Sequence, residues 1–396
     1  MALSPQRILI VGGGIAGCSA GIALASAGHC VRIIEAQTEW RFQSSGIFVY
    51  ANGLSCLDDL GVLDAILETG FAVPEGRNAY FDHTGAEITA TTYPTAREGR
   101  VPAILGIKRA ELHRVLATRL SALGVSVDLG QTVRAVHEQG SEVGVTFADG
   151  TTESFDLMLG ADGIRSDTRK LIGVGIEPRY TGFTVWRSVH TRPSELTDKI
   201  MMMGPAKRYG IMPISDDKLY TFGTVAEPKL GHIPRADWPG EMRARFAEFV
   251  GPASPFLDAI DDTSEVLFTA VEEVVMPLPW HRGRVLLIGD ASHASTPFMG
   301  QGGAMAMQDA VILAQVLAAA DSVPEALIRF GEVRAPVCNF VQDVSRAVGE
   351  AGAREDVTDL AARNAGLAAG AQGKVDGFYG ELARLNAEAE AQIKGS

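Results

Sequence analysis

No stretch of this chain restricts its fold as strongly as RILIVGGGIAGCSAGIALASAGHCVRIIEA, Arg7 to Ala36. Arg7 to Val11 is a short apolar run of the kind that forms a buried strand, and Gly12, Gly14 and Gly17 follow it in GxGxxG spacing. Ile15 to Ala27 is built largely from small helix formers that can lie close on a sheet. Gly28 ends that helix, and His29 to Glu35 reads as a second strand. Strand, glycine turn, helix and strand in that order open a doubly wound parallel sheet. The glycines serve in turn a tight corner, backbone access for a pyrophosphate and close helix–strand contact. Glu35 stands about 20 residues past the turn, where a carboxylate can accept hydrogen bonds from a ribose diol. The unit predicts an adenine dinucleotide, with NAD and FAD both open. Gly17-Cys18-Ser19-Ala20-Gly21 also spells GxSxG, but a nucleophilic serine must sit on the strand-to-helix turn and Ser19 falls inside the helix. A hydrolase is not expected.

Two later segments repeat the strand-then-turn pattern. After a hairpin-like region of alternating apolar residues, Phe155 to Gly160 reads as one buried strand ending in Asp162-Gly163, with Ser166 and Arg169 following at helical spacing. Val285 to Ile288 reads as another, followed by Gly289-Asp290, a glycine-rich loop and a helix from about Ala304. With 396 residues the chain exceeds one ordinary domain of roughly 100–200, so two domains or one large insertion are expected. A formal charge of -13 weighs against nucleic acid or an anionic membrane as partner. Cys18, Cys30, Cys56 and Cys338 show no CxxC spacing and read as buried small hydrophobes, with no metal site expected. The N-terminal run fits neither a secretory signal nor a spanning helix, so a cytoplasmic setting is the expectation.

Together with Arg109 in IKRAELHRVL, these segments resemble the motifs of the class A flavoprotein monooxygenases, the para-hydroxybenzoate hydroxylase-like family. The matching pieces are GxGxxG at Gly12 to Gly17, the DG motif GADGIRSDTR and the GD motif GDASHASTPFMGQGGAMAMQDA. The resemblance spans nearly the whole chain. It implies an α/β (α+β) fold in which a Rossmann-like FAD-binding domain is interleaved with an antiparallel β-sheet substrate domain and followed by C-terminal helices. It also implies FAD contacts from Gly12, Gly14, Ile15, Ala16, Gly17, Glu35, Arg109, Asp162, Asp290, Pro297, Gly300, Gly302, Gly303 and Ala304. In that set Asp162 would serve FAD and the nicotinamide nucleotide, Asp290 the ribityl chain, and Arg109 would lie along the cofactor. The GD segment has a physical reading of its own. A helix N-terminus stabilises negative charge at the reduced flavin's N1–C2=O edge by about 0.3–2 kcal/mol. Gly300, Gly302 and Gly303 let backbone approach the ring, and Pro297 fixes the loop over it. His293 is read as a group that orders the loop rather than as a base.

The part between the DG and GD motifs should choose the substrate. YTGFTVWRSVH, KIMMMGPAKRYGIMPI and DKLYTFGTV read as antiparallel strands whose alternation puts Arg208, Gly210 and Met212 on one face, and Tyr220, Phe222 and Thr224 on one face of the next. Met201 to Met203 is either adaptable lining or plain core. KRYGIMP and KLYTF are similar to the corresponding segment of bacterial FAD-dependent urate hydroxylases, which implies that Arg208 and Tyr220 contact the substrate region. Without that likeness, a surface ion pair for Arg208 and a core aromatic for Tyr220 serve equally well. Ser45 and Gln308 depart from residues frequent in the larger family. No second GxGxxG follows a strand, so a nicotinamide nucleotide is expected to visit rather than reside.

The resulting expectation divides the chain into an FAD-binding domain of residues 1–70, 99–179 and 278–350, a substrate-binding domain of 71–98 and 180–277, and a C-terminal helical segment of 351–396. The last helix is only weakly amphipathic, and a monomer or homodimer is expected. The implied activity is NAD(P)H-consuming monooxygenation. NADH or NADPH passes hydride to FAD, and the reduced flavin takes up O2 as a C4a-hydroperoxide that hydroxylates a small aromatic or heteroaromatic substrate, with Arg208, Tyr220 and Pro297 as the catalytic candidates. The alternatives on the same fold are a flavoprotein epoxidase or reductase and a non-catalytic flavin-binding protein. A basic group or proton relay near the substrate is expected, and no residue in the sequence identifies itself as that group.

Overall fold

In the computed structural model, which describes residues 3–40, 45–353 and 356–395, the strand Arg7–Val11 lies inside a six-stranded sheet. The order across the sheet is His281–Arg282, Val285–Leu287, Leu157–Gly160, Arg7–Val11, Cys30–Glu35 and Ser126–Leu129. All neighbours are parallel except the His281–Arg282 edge. Ile8, Leu9, Ile10, Leu157, Met158 and Leu159 have no exposed surface, as continuous apolar runs covered on both faces should. The helix Ile15–Ser26 covers one face, and its small residues have a packing reason. A Cβ on Gly21 would meet Ile33 Cδ1 and Leu120 Cδ2, both at 2.8 Å, because this helix is held between the sheet and the helix Arg109–Ala122.

The expected single strand Phe155 to Gly160 is two strands in two sheets. Thr152–Phe155 belongs to a three-stranded meander with Val133–Gln139 and Glu142–Phe147, whereas Leu157–Gly160 joins the parallel sheet. The pivot is Asp156, whose N–H donates to the Arg7 carbonyl (2.9 Å) and whose carboxylate accepts the Arg7 N–H (2.7 Å). Cys18, Cys56 and Cys338 are buried as expected, but Cys30 is exposed because it opens its strand at the sheet's end.

A seven-stranded sheet runs Val266–Glu273, Arg179–Thr191, Lys218–Ala226, Lys207–Pro213, Lys199–Met203, Arg77–Asp82 and Glu87–Thr92. Only Lys199–Met203 and Arg77–Asp82 are paired in parallel. Alternation sorts its side chains as the sequence requires. Tyr209, Ile211, Leu219, Trp186 and Met202 pack with Met242, Phe246 and Phe249 into one core, and each large side chain buried there stabilises by roughly 1.5–3 kcal/mol. Met202 is therefore plain core. The other face carries Met212, Tyr220 and Phe222 toward a small sheet of Gly46–Tyr50, Ile104–Lys108 and Phe71–Ala72. Residues 41–44, just before Ser45, lie outside the described residues. Two glycines let the sheets approach: a Cβ on Gly46 would overlap the Tyr220 ring, and one on Gly106 would overlap the Pro213 carbonyl.

Three helices complete the body. Gly302–Ala319 is apolar enough by length and composition to span a membrane, but its Met305, Met307, Ala310, Leu313, Val316 and Leu317 belong to the main core. Val323–Gly352 is capped by Ser322, whose hydroxyl accepts the Glu325 N–H, while the Glu325 carboxylate accepts the Asp321 N–H just before the cap. The C-terminal helix Val357–Lys394 is docked on the chain itself, with Phe378, Leu382, Ala389 and Ile393 in the main core. Gln372 bonds both backbone groups of Thr92 on the edge strand, which covers that edge.

Candidate functional site

Three loops meet at the carboxyl ends of the parallel strands. Gly12 turns at φ 104°, and its N–H donates to the Ile34 carbonyl at 2.8 Å. A Cβ there would come within 2.5 Å of the Ala161 carbonyl, so the first loop is pressed against the start of the DG loop. Gly289 turns at φ 60°, and its Cβ would meet Ala16 Cβ at 2.9 Å, so the GD loop is pressed against the first helix. The buried Arg169 guanidinium joins the other two, donating to the carbonyls of Ile164, Ile176 and Ala291 at 2.8–2.9 Å.

The glycines separate into two kinds. Gly12, Gly17 and Gly300 have protein atoms where a Cβ would go; Gly300, at φ 64°, faces the Phe48 ring. Gly14 has nothing within 4 Å, Gly302 only Ser295 Oγ at 3.6 Å, and Gly303 only Ile47 Cδ1 at 3.4 Å. Packing within the chain does not demand those three. Each stands at the start of a helix, Ile15–Ser26 or Gly302–Ala319, where free N–H groups point outward. A bare backbone with room above it and donors along it suits a phosphate or an electron-rich ring edge. The second helix starts at Gly302, two residues before Ala304, so both glycines belong to its first turn.

Glu35 closes the first loop. Its carboxylate accepts the N–H groups of Gly13 (2.8 Å) and Gln37 (2.9 Å), which sets it beside the turn. His113 and Trp40 enclose the same point. His113 Nε2 lies 2.6 Å from the Gly13 carbonyl, and its ring meets Trp40 edge-on at 5.1 Å. Burial, opposed by that carbonyl, lowers the His113 pKa. Arg109 begins its helix with its N–H on the Ser45 carbonyl (2.9 Å) and its side chain exposed. Asp162 is turned inward: Ser166 Oγ (2.5 Å) and the Thr168 N–H (2.8 Å) both donate to its carboxylate. Ser166 in turn caps the helix Asp167–Leu171 by accepting the Arg169 N–H at 2.9 Å. Asp290 is exposed and has no hydrogen bond or ion pair among the described residues. Pro297 is exposed at the head of the turn Pro297–Met299.

Beneath this loop lies a buried charge cluster of which the sequence reading saw only His293. Asp309 has no exposed surface. Its carboxylate accepts His293 Nε2 (2.7 Å), Arg334 Nε (2.8 Å) and the Gly289 N–H (2.8 Å). Arg334 also donates to Gln308 Oε1 at 2.9 Å, the position noted for departing from glutamate. Burial alone would raise the Asp309 pKa, but His293 and Arg334 hold it down to about 2. Burial likewise opposes the charged form of His293, and the Asp309 carboxylate overcomes it, holding the imidazole well above its ordinary range. The cluster fixes the turn that presents Asp290.

Arg208 and Tyr220 are on the same face of neighbouring strands but are not partners. The register sets Arg208 opposite Thr224 and Tyr220 opposite Met212. Arg208 donates to the Val348 carbonyl on the long helix and lies 5.6 Å above the Phe298 ring, next to Pro297. Burial and the nearby Arg363 lower its pKa to about 10. Tyr220 is 4% exposed and stacks on Phe222 at 5.3 Å. Phe48 links this sheet to the GD loop, 5.7 Å from Phe222 and against Gly300. Behind it stand Tyr50, Tyr93 and Tyr379, and among them Lys199, which no sequence signal marked. A cleft of about 100 Å³ lined by Ser45, Gly46, Arg187, Ser188, Val189, Glu265 and Leu267 opens beside Gly46. A larger cavity of about 590 Å³, lined by His137, Arg282 and Arg284, lies at the far sheet edge and touches none of the three loops.

A family model described as an FAD binding domain matches residues 6–344. An FAD-dependent urate hydroxylase of Mycolicibacterium vanbaalenii is 34% identical over 321 residues, 78% of each chain. A 2-heptyl-3-hydroxy-4(1H)-quinolone synthase of Pseudomonas aeruginosa is 32% identical over 371 residues, 91% of this chain and 93% of the other. The crystal structure of Klebsiella pneumoniae HpxO complexed with FAD and uric acid superposes with a TM-score of 0.83 at 27% identity, covering 98% of this chain and 97% of that one.

Proposed function

This chain belongs to the FAD binding domain family, and on that premise we propose that it is an FAD-dependent monooxygenase that uses NADH or NADPH and O2 to hydroxylate a small aromatic or heteroaromatic compound. Urate and 4-quinolones, named for its relatives, are the nearest chemical models. The observation that carries the reading is the set of open glycines. Gly14, Gly302 and Gly303 have no close protein backbone where a side chain would go, and each sits at a helix start above a loop that buried side chains hold in place.

The residues fit FAD. Gly12 to Gly17 with Ile15 and Ala16 would take the pyrophosphate, Glu35 a ribose, Asp290 the hydroxyls of the ribityl chain, and Gly300 to Ala304 the charged edge of the ring, with Arg109 alongside. Bound FAD supplies the acceptor for a nicotinamide hydride and the means of activating O2. The chain's own part is to hold the substrate and keep water away. Met212, Tyr220, Phe222 and Phe48 form an apolar roof, and Arg208 and Tyr220 are its polar anchors. Pro297 holds the turn over which the substrate rests. In this reading residues 71–98 and 180–277 present the substrate face, residues 1–70, 99–179 and 278–350 hold the cofactor, and 351–396 is a C-terminal helical segment.

The decisive experiment mixes FAD-loaded protein anaerobically with NADH or NADPH in the presence of phenols, hydroxylated N-heterocycles, 4-quinolones or urate. A substrate should accelerate bleaching of the flavin, and turnover under 18O2 should leave one labelled oxygen in the product. FAD uptake with no acceleration and no labelled product from any class removes the hydroxylase reading. A protein unable to take up FAD removes the cofactor as well. With a substrate in hand, Arg208→Ala should raise its apparent KM about 10- to 100-fold while FAD stays bound, the effect of losing a charge-assisted hydrogen bond. Loss of FAD instead would move Arg208 into the cofactor site.

A further inference from the structure

Lys199 has an environment that ordinary core packing does not explain. It is 3% exposed at the start of the strand Lys199–Met203, and no carboxylate pairs with it among the described residues. Its ammonium position lies 4.5 Å from the Phe48 ring centre, 5.3 Å from Tyr50 and 5.7 Å from Tyr93, and it donates to the Tyr50 hydroxyl at 2.9 Å. A charged lysine has three donors and only one has a hydrogen-bond partner here; the ring faces offset part of the cost of burying the cation, but no counter-charge completes it. A methionine would fill the same space without burying an unpaired amine. Buried ionisable groups retained against such a cost concentrate at working sites. The box adjoins the proposed roof. Phe48, which faces Lys199, is the ring that presses on Gly300 of the GD loop and meets Phe222 of the proposed roof. Tyr379, from the C-terminal helix, closes the box on Tyr50 and Tyr93 and receives Gln301 Nε2, next to Gly302, at 3.4 Å.

We propose that Lys199, acting through the Tyr50 hydroxyl, takes the proton from the ring oxygen of a hydroxy-aromatic or enolisable heteroaromatic substrate. The proposal rests on the hydroxylase reading. The substrate O–H bond breaks and its electron pair stays on oxygen, giving the oxyanion whose ring carbon is the better nucleophile. The proton passes to the Tyr50 oxygen as Tyr50 gives its own to the Lys199 amine. The result is one oxyanion and one ammonium with total charge unchanged, and Tyr50 ends as it began. Lys199 is thus a positioning and proton-accepting residue one hydroxyl removed from the substrate.

The ionisation fits this use. Burial lowers the Lys199 pKa to about 7, so the neutral amine is available in the physiological range. The other titratable groups facing the pair are Tyr80, Tyr93, Tyr220 and Tyr379. Burial and mutual repulsion push the hydroxyls of Tyr50, Tyr93 and Tyr379 well above their ordinary range, and burial raises that of Tyr220. Asp198, next to Lys199 in the chain, is paired with Arg77 of the neighbouring strand. Lys199 is left as the one member of the box expected to titrate near neutrality.

The test compares FAD-loaded wild type, Lys199→Met, Lys199→Arg and Tyr50→Phe on a compound the wild type hydroxylates, following kcat/KM of product formation from pH 5.5 to 9.5. Wild type should show an acid limb near pH 7. Lys199→Met and Tyr50→Phe should lose it and fall about 100-fold at pH 7.5. Lys199→Arg keeps a cation beside Tyr50 but cannot accept a proton, so it should fail as the methionine variant does. The deficit should close at pH values where the compound enters already ionised. A deficit that is the same at every pH, a limb that survives in Lys199→Met, or full rescue by arginine would overturn the proposal and leave the hydroxylase reading standing. If Lys199→Met does not retain FAD, Tyr50→Phe and Lys199→Arg decide the matter alone. Absence of any hydroxylated compound overturns both readings, and the wild type shows it first.

Discussion

Gly302→Val should yield a protein that folds as well as the wild-type apoprotein and binds FAD about 10- to 100-fold more weakly. The fold has no objection to a side chain here. Ser295 Oγ, at 3.6 Å, is the nearest atom to a new Cβ outside the helix's own backbone, and in a helix valine is no less favourable than the glycine it replaces. The ligand does object. A side chain standing in the space a flavin edge must enter forces overpacking of about 1–3 kcal/mol, and 1.4 kcal/mol is a factor of ten. The measurement is the FAD dissociation constant by fluorescence quenching, beside thermal midpoints of the two apoproteins, since bound cofactor would itself raise the wild type's midpoint. Gly17→Ala and Gly300→Ala are the contrast. Their Cβ atoms would overlap the Gly12 carbonyl and the Phe48 ring, so both variants should lose stability and cofactor together. Unaltered FAD affinity in Gly302→Val would mean that the open space above that helix belongs to something other than the cofactor.

The same glycines show what a sequence can and cannot convey. Gly12, Gly14 and Gly17 were legible because a strand before them and a helix after them are both local, and their spacing has one good use. That Tyr220 and Phe222 share a face was legible because strand alternation is local too, whereas Met212 joins them through the register. The start of the second site helix was set at about Ala304 because glycine is a poor helix former, whereas the helix begins at Gly302. The break at Asp156 was invisible: Phe155 to Gly160 is apolar enough for one strand, and the turn depends on hydrogen bonds to Arg7, far off in the chain. Lys199 was missed for the same reason. KIMMM reads as a strand with a charged first residue, and only the approach of Tyr50, 149 positions away, reveals that the charge is enclosed. Arg208 and Tyr220 were marked by likeness to a short segment, which could not show that Arg208 is partly buried and reaches the long helix.

Asp309 is the case in which a residue inside a recognised motif was still overlooked, and removing it should have the largest effect on stability. An acid in the second turn of an apolar helix looks the same in sequence whether it faces solvent or not; its meaning comes from His293, 16 positions before, and Arg334, 25 after. Asp309→Ala leaves two buried cations and the Gly289 N–H without their acceptor, and breaking a buried pair from one side costs about 3–5 kcal/mol. Asp309→Asn keeps an acceptor for Gly289 but loses the charge, so it should fall between wild type and alanine. The pH dependence has a definite sign. The Asp309 pKa is depressed to about 2 in the folded chain, so its contribution is complete above an ordinary value near 3.8 and disappears as pH falls through 2. His293 is raised above 6.5, so its contribution is complete below 6.5 and declines as pH rises toward its folded value. Urea midpoints of wild type and Asp309→Asn should therefore differ most between about pH 4 and 6.5, converge as pH falls toward 2, and narrow only in part as His293 loses its proton, because Arg334 still pairs with the carboxylate. A difference that does not vary with pH would show that Asp309 acts through packing alone. Because the cluster holds the Gly289 turn, both variants should also bind FAD less tightly at pH 6, which ties the charges under the loop to the cofactor above it.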